Sequence, residues 1–320
     1  MRKLLLLVLI LAGLAGLYLG INWWGGGPTD EDRTIIVAEG TTLNGLGEQL
    51  RSEGYLSLPA TVWKVGTRFL ASGNPIRAGE FEIPKGASAA RIIDILQHGR
   101  TVQRQVTIPE GMPSILVQER VQALPFMSGE APLPEEGSVL PQTYSYQRGE
   151  SRAALIRRMQ EAMTRTLDEL WPSRTERSVV NSREEAVTLA SIVEKETAKP
   201  EERRMVAGVY SNRVRAGMRL DADPTVIYPV TKGKPLGRRI LRSELDDVND
   251  YNTYRMTGLP KGPIANPGRA SIAAVLDPAP TDALYFVADG TGGHIFADTL
   301  EEHNRNVAKW YELRRKRGEM

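Results

Sequence analysis

Residues 182–228 read SREEAVTLASIVEKETAKPEERRMVAGVYSNRVRAGMRLDADPTVIY, and the apolar spacing lays two helices along them. Ser182 followed by Glu185 has the capping-box pattern, so a helix is expected to start there. It runs on until Pro200, which lacks the amide hydrogen to continue. Leu189, Ile192 and Val193 form one apolar stripe, and the next position on that stripe is Glu196. At about 100° per residue Glu194 lies roughly 200° away, on the polar side. The spacing therefore predicts a solvated, ionised Glu194 and a partly desolvated Glu196, whose pKa burial would raise. A raised carboxyl in a cleft suits a general acid near neutral pH. A buried structural ion pair with Arg203 or Arg213 would put a carboxylate in the same place. The second helix is expected to open at Pro200-Glu201-Glu202. It buries Met205, Val206, Val209 and Val214, leaves Asn212 and Arg213 at the edge of that stripe, and ends at Gly217. Asp223-Pro224-Thr225 then reads as a turn carrying polar groups between apolar residues.

Upstream, Leu155, Ile156, Met159 and Met163 mark another amphipathic helix, and residues 129–150 read as a loop across the surface, a wall for a cleft. Further upstream one pattern occurs three times: TIIVAEGT over 34–41, EFEIPKGA over 80–87 and QVTIPEGM over 105–112. Each joins a short β-prone run to a charged residue and a glycine, with Thr42, Ser88 and Ser114 placed to cap a following helix. Leu43, Leu46 and Leu50 follow the first at helical spacing, and Ile92, Ile93 and Leu96 the second. Chance similarity of ordinary strand–helix turns would give the same short matches. The fuller reading is a small α+β module over 34–104 that leads into a larger α+β domain.

The N-terminus is of another kind. Arg2 and Lys3 precede LLLLVLILAGLAGLYLGINWW, residues 4–24, which carry no charge. At the helical rise this run reaches about 31 Å, the thickness of a hydrocarbon core. The basic flank places the N-terminus in the cytoplasm and the rest of the chain outside. Trp23 and Trp24 would sit at the outer interface, ahead of a flexible Gly25-Gly26-Gly27-Pro28. A cleaved signal peptide is the rival reading, set against a long run with no clear A-x-A site. With Arg2 and Lys3 set aside, 39 basic residues face 39 acidic ones. A neutral ectodomain is poorly suited to neutralising phosphates, so nucleic acid is set aside as a partner. The 320 residues are enough for two folded units, and the lack of cysteine removes disulfides and thiol chemistry. His294 and His303 do not have a zinc spacing, and no Walker A or G-x-S-x-G motif is present, so no metal or cofactor is expected. Gly290-Thr-Gly-Gly293 reads as a hairpin turn between Phe286 and Phe296. Arg314-Arg-Lys-Arg317 reads as a solvated basic end.

The segments LASIVEKET (189–197), VYSNRVRAGMRLDADPTVIY (209–228), YNTYRMTGLPKGPIANPG (251–268) and LYFVADGTGGHIF (284–296), with His303-Asn304, resemble the murein lytic transglycosylase G, or YceG-like, family. Several long motifs stand in register, and with anchor, small module and catalytic domain in the expected order the resemblance extends over nearly the whole chain. The resemblance implies a cytoplasmic tip and transmembrane anchor over 1–24, a linker over 25–33, a LysM-like module over 34–104 and a YceG-like catalytic domain over 105–320. It implies an enzyme of the inner membrane with its catalytic domain in the periplasm. Such an enzyme cleaves the MurNAc–GlcNAc β-1,4 bond inside peptidoglycan strands and leaves a 1,6-anhydroMurNAc end, without a cofactor. Peptidoglycan synthases are implied as partners. A hydrolytic muramidase and a non-catalytic peptidoglycan-binding scaffold are the alternatives.

The family's catalytic glutamate falls in the EKET stretch, at Glu196, with Glu194 as runner-up. Asp223 is the nearest second carboxylate, either in direct contact with substrate or holding its turn. Asn212, Arg213, Thr225, Asn252 and Asn266 are expected to bond N-acetyl and hydroxyl groups, and Tyr228, Tyr251 and Tyr254 to pack on sugar rings. Each also has a bland role available, as a turn, a cap or core packing. Lys261 departs from the family pattern, standing where a second proline is expected, which puts the shape of the 258–268 loop in question.

Overall fold

All three repeated segments form a strand, a turn and a helix, and for one local reason: Gly40, Gly86 and Gly111 each take a positive φ of 79°, 63° and 72°. That left-handed conformation reverses the chain between the two elements and costs any other residue type energy. The computed structural model describes residues 2–71 and 73–319, so Met1, Ser72 and Met320 lie outside the described residues. The fold mixes α and β, with two-stranded sheets among the described residues. Two compact units divide it, one running to Arg104 with Ser145–Gly149 added, the other comprising Gln105–Tyr144 and the chain from Glu150 onward.

The first unit contains α1 (Arg2–Trp24), β1 (Arg33–Val37), α2 (Leu43–Ser52), α3 (Ala60–Phe69), β2 (Gly79–Ile83) and α4 (Ala89–His98). β1 and β2 pair antiparallel with Ile35 opposite Phe81. Ile35 and Val37 point inward and Thr34 and Ile36 outward, the period of two expected of a half-buried strand. Leu46 and Leu50 of α2, and Ile92 and Leu96 of α4, close over Ile35 and Phe81 with essentially no exposure. Each such side chain contributes about 1.5–3 kcal/mol by leaving water. Thr42 and Ser88 cap their helices as expected, accepting from Gly45 N and Arg91 N.

α1 has 23 residues and fits a single-pass membrane anchor by length and composition. Its last turn corrects one expectation. Trp24 is 60% exposed, but Trp23 is only 1% exposed and packs on Trp63 with ring centroids 6.0 Å apart. It seats over Gly66 of α3, where a Cβ would fall on the indole. Trp23 is thus a core residue of the first unit and not an interfacial belt.

β3 (Arg104–Thr107) follows and pairs with β4 (Thr143–Tyr146). Between them α5 spans Ser114–Gln122. Ser114 is its first helical residue and Pro113 the cap, because Ser114 N and Oγ are taken by Glu136 and the Glu135 carbonyl. α6 (Arg152–Leu170) buries Leu155, Ile156, Met159 and Met163. Then come α7 (Arg183–Glu196), α8 (Arg203–Arg215), α9 (Asp223–Thr231), α10 (Arg242–Asp246) and α11 (Arg269–Leu276). The hairpin of β5 (Tyr285–Ala288) and β6 (His294–Ala297) pairs Phe286 with Phe296 and turns through 290–293, and α12 (Leu300–Lys316) packs on it.

α7 is the axis of this unit. Ser182 Oγ accepts from Glu185 N, and the Glu185 carboxylate accepts from Asn181 N, so the start is capped from both sides. Every residue from Ala186 to Val193 is buried, against α8, α9 and α11. The helix is therefore covered all round, not on one stripe alone. Asp223-Pro224-Thr225 is the first turn of α9 and not a free turn, with Pro224 near the N-terminus where its missing N–H costs nothing.

Candidate active site

α7 ends earlier than Pro200. Thr197 leaves helical geometry at φ −131° and ψ 131°. Its Oγ1 accepts from Lys199 N at 3.1 Å and donates to Glu202 Oε2 at 3.0 Å, which competes with another helical turn. Glu196 becomes the last helical residue. It faces a cavity of about 440 Å³ lined by Tyr210 and Arg213 from α8, by Leu220, Asp221 and Asp223 leading into α9, and by Tyr254. Tyr285 and Phe286 of β5 and Leu300 and His303 of α12 complete the lining.

Burial pushes the Glu196 carboxyl up to about 7. A hydrogen bond from the Tyr210 hydroxyl pulls it down, the Asp223 charge pushes it up, and the Arg213 charge pulls it down. Its place at the C-terminal end of α7 acts in the same direction as burial, since that end of the helix dipole is negative. Tyr210 is 1% exposed, and burial with the neighbouring Glu196 charge holds its hydroxyl protonated well above its usual range.

Arg213 does not close an ion pair on Glu196. Its Nε donates to the Leu284 carbonyl at 2.6 Å and its Nη1 to the Leu220 carbonyl at 2.7 Å, and its guanidinium lies 5.5 Å from the Tyr285 ring centroid. It is a fixed positive charge at the cavity wall. Tyr254 donates its hydroxyl to Asp223 Oδ1 at 2.7 Å, which orients that carboxylate. The sequence reading missed His303. Its ring stacks on Tyr285 with centroids 5.2 Å apart, and its Nδ1 is buried without a hydrogen-bond partner among the described residues. Burial and then the Arg213 charge lower its pKa, so the imidazole is neutral at neutral pH. Only its place beside Asn304 in a family motif could have drawn attention to it, and Tyr210 lay hidden inside the apolar stripe of α8.

Of the residues singled out from the sequence, Glu196, Arg213, Asp223 and Tyr254 line this cavity. The others lie elsewhere. Thr225, Asn252 and Asn266 have no exposure. Thr225 Oγ1 donates to the Ala222 carbonyl and shares a hydrogen bond with Thr253 Oγ1. Asn252 gives its amide to the Asp247 carbonyl at 2.6 Å and accepts from Tyr254 N, fixing the backbone that carries Tyr254. Asn266 accepts from Val139 N and donates to the Met112 carbonyl. Asn212 binds the carbonyls of Thr281 and Ala283. Tyr228 and Tyr251 pack on each other at 4.9 Å, not on open space. Each of these is occupied in holding backbone or packing a neighbouring ring.

Glu194 departs most from expectation. Its side chain is 5% exposed and pairs with Arg203 at 3.4 Å, while its other oxygen accepts from Gly268 N at 2.8 Å. The face 200° from Glu196 is covered by α8 and the 266–268 backbone, so the buried ion pair considered for Glu196 exists at Glu194 instead. Glu136 is another carboxyl that burial raises, but it accepts from Ser114 N and lines no part of the Glu196 cavity.

The family model described as the YceG-like family matches residues 35–309. An endolytic murein transglycosylase of Bacillus subtilis (strain 168) is 37% identical over 177 residues, which cover 55% of this chain and 48% of that protein. One from Streptococcus pneumoniae serotype 2 (strain D39) is 28% identical over 326 aligned positions, covering 86% of this chain and 58% of that protein. The chain spans about half the length of these curated relatives. A crystal structure of a YceG-like protein from Listeria monocytogenes superposes with a TM-score of 0.55 at 26% identity, over 86% of this chain and 98% of that one.

Proposed function

The chain belongs to the YceG-like family, and from that premise we propose that it is an endolytic murein lytic transglycosylase in which Glu196 is the single acid–base group. The observation that carries this reading is a carboxyl raised to about 7 by burial, facing an open cavity and forming no ion pair among the described residues. An ordinary carboxyl is protonated to well under 1% at neutral pH; this one keeps about half its protons there.

The chemistry needs one such group. Glu196 protonates the glycosidic oxygen as the bond from MurNAc C1 breaks. As a carboxylate it then takes the proton from the MurNAc C6 hydroxyl, whose oxygen closes onto C1. Atoms balance without water, a 1,6-anhydroMurNAc end remains, and no cofactor takes part. The Asp223 carboxylate, held by Tyr254 in the same cavity, would offset positive charge growing at C1. Tyr210 and Arg213 stabilise the carboxylate that forms once the first proton is gone, and the proton taken from the C6 hydroxyl returns Glu196 to its resting acid form.

The presence of Asp223 in the same cavity also favours a second reading. Water-using glycosidases work with two carboxylates, so a muramidase hydrolysing the same bond would use Glu196 as acid and Asp223 as its partner. Mass spectrometry of glycan digested by the full chain separates the two, because the lytic product is one water lighter. A non-catalytic scaffold would yield neither product.

The setting follows the same premise. The basic flank of α1 supports a reading with α1 in the inner membrane and the catalytic unit in the periplasm. The β1–α2–α3–β2 order, with its antiparallel strand pair, supports a LysM-like module within 34–104, ahead of a catalytic domain over 105–320. Peptidoglycan synthases that deliver new strands are the proposed partners.

A further inference from the structure

We infer that α3 lies on the surface of the bilayer, with Val65 and Phe69 in the lipid interface and Lys64 and Arg68 against anionic headgroups. The inference rests on reading α1 as a membrane anchor. α1 is not joined to the first unit by a loose tether. Trp23 is buried in that unit's core over Gly66, and Leu19, one turn deeper in the apolar run, also packs against the core. The unit is therefore fastened to the part of α1 that leaves the hydrocarbon, and α3 is one of two helices, with α4, that fasten it.

α3 carries more apolar surface than its core contacts use. Val62, Trp63 and Gly66 face inward. Val65 and Phe69, four residues apart and so on one face, are 40% and 72% exposed, with Leu70 beyond them at 38%. On the helical wheel this stripe lies about 60–100° from Gly66, next to the face that meets Trp23. Lys64 and Arg68 form a parallel exposed stripe beside it, and the Arg68 guanidinium lies 5.8 Å from the Phe69 ring centroid. A short helix with an apolar stripe, a basic stripe and a neighbouring transmembrane segment matches the chemistry of an anionic phospholipid surface. Immersion of α3 would hold the first unit flat on the membrane and fix its rotation about α1.

The chain has no cysteine, so single labels can be placed cleanly. Full-length Val65→Cys, Phe69→Cys, Glu48→Cys and Leu11→Cys, each carrying an environment-sensitive fluorophore, are reconstituted in vesicles of phosphatidylethanolamine and phosphatidylglycerol. Doxyl-labelled lipid is expected to quench positions 65 and 69 at least about threefold more than position 48, on the exposed face of α2, with position 11 quenched as a membrane control. Adding Lys64→Glu and Arg68→Glu is expected to lower the quenching at 69. Water-accessible labels at 65 and 69 with a quenched label at 11 would overturn the inference while leaving the anchor intact. Labels at 65 and 69 shielded from both lipid and aqueous quenchers would mean that protein covers the stripe, which also overturns it. An unquenched label at 11 would remove the anchor reading itself.

Discussion

Glu80 in the first unit and Glu196 in the second are both withdrawn from water, and their pKa values are shifted in opposite directions. Glu80 is 7% exposed and binds Arg104 at 2.8 Å and Arg148 at 3.2 Å. Hydrogen bonding from Arg104 outweighs burial and holds its carboxyl below the usual range. Glu196 is offered one tyrosine hydroxyl and a more distant arginine, and has Asp223 as a neighbour, so burial wins. Glu194, two residues away on the same helix, shares the design of Glu80, with Arg203 at its carboxylate. Burial alone does not decide what a glutamate does. The donors that come with it separate a structural carboxylate from one able to give up a proton near neutral pH.

The largest test of this contrast is Glu196→Gln, which should lower glycan cleavage by about 10²–10⁴-fold while leaving the fold intact, as read by digestion rate and circular dichroism. Glu194→Gln should do the reverse. Taking one of two carboxylates from Arg203, which keeps Glu110 at 3.1 Å, should cost about 1–3 kcal/mol in thermal or denaturant unfolding, with cleavage per folded molecule largely kept. Loss of cleavage by a fully folded Glu194→Gln would transfer the acid role to Glu194.

The pH dependence of stability sharpens the same comparison. The folded pKa of Glu196 is raised, so folding gains from its protonated form below about 4.5, loses stability as pH climbs towards 7, and stays penalised above. Replacing it by Gln should therefore stabilise the chain above pH 7, by on the order of 3 kcal/mol at most, with no gain below pH 4. Glu80 has a lowered folded pKa, so its stabilisation is present above the unfolded value and disappears as pH falls through the folded one. Glu80→Gln should thus destabilise by about 1–3 kcal/mol at pH 7 and progressively less in acid. Parallel curves for the two variants would break the contrast. The smallest effect expected is for Asp223→Asn. Removing a charge that raises Glu196 should move the basic limb of the pH–rate profile down, by less than about one unit, on whatever cleavage remains.

What the sequence displayed well was local. Ser182 and Glu185 marked the start of α7, glycine after a charged residue marked three turns, and a 3.6-residue period singled out Glu196. Local signals could not show what covers the opposite face. Glu194 is buried by Gly268, more than seventy residues away, and by Arg203 from the next helix. Polar motif residues such as Asn252 and Asn266 looked like sugar ligands because chemistry alone does not reveal whether a backbone carbonyl already waits for the amide. Arg213, Tyr254 and His303 reach the cavity from three separate elements, an arrangement set by packing and not by spacing. Pro200 was an evident stop, but Thr197 ended the helix first through its own side chain, which brought Glu196 to the helix end.

The most direct test is the titration of the Glu196 carboxyl itself, followed by carbon-13 NMR on glutamate-labelled protein and assigned by its absence in Glu196→Gln. A midpoint near 7 is predicted, with the Glu80 resonance titrating below the ordinary range in the same sample. A midpoint for Glu196 in the ordinary range near 4.5 would contradict the account, because the group proposed to protonate the glycosidic oxygen would then carry almost no proton at neutral pH.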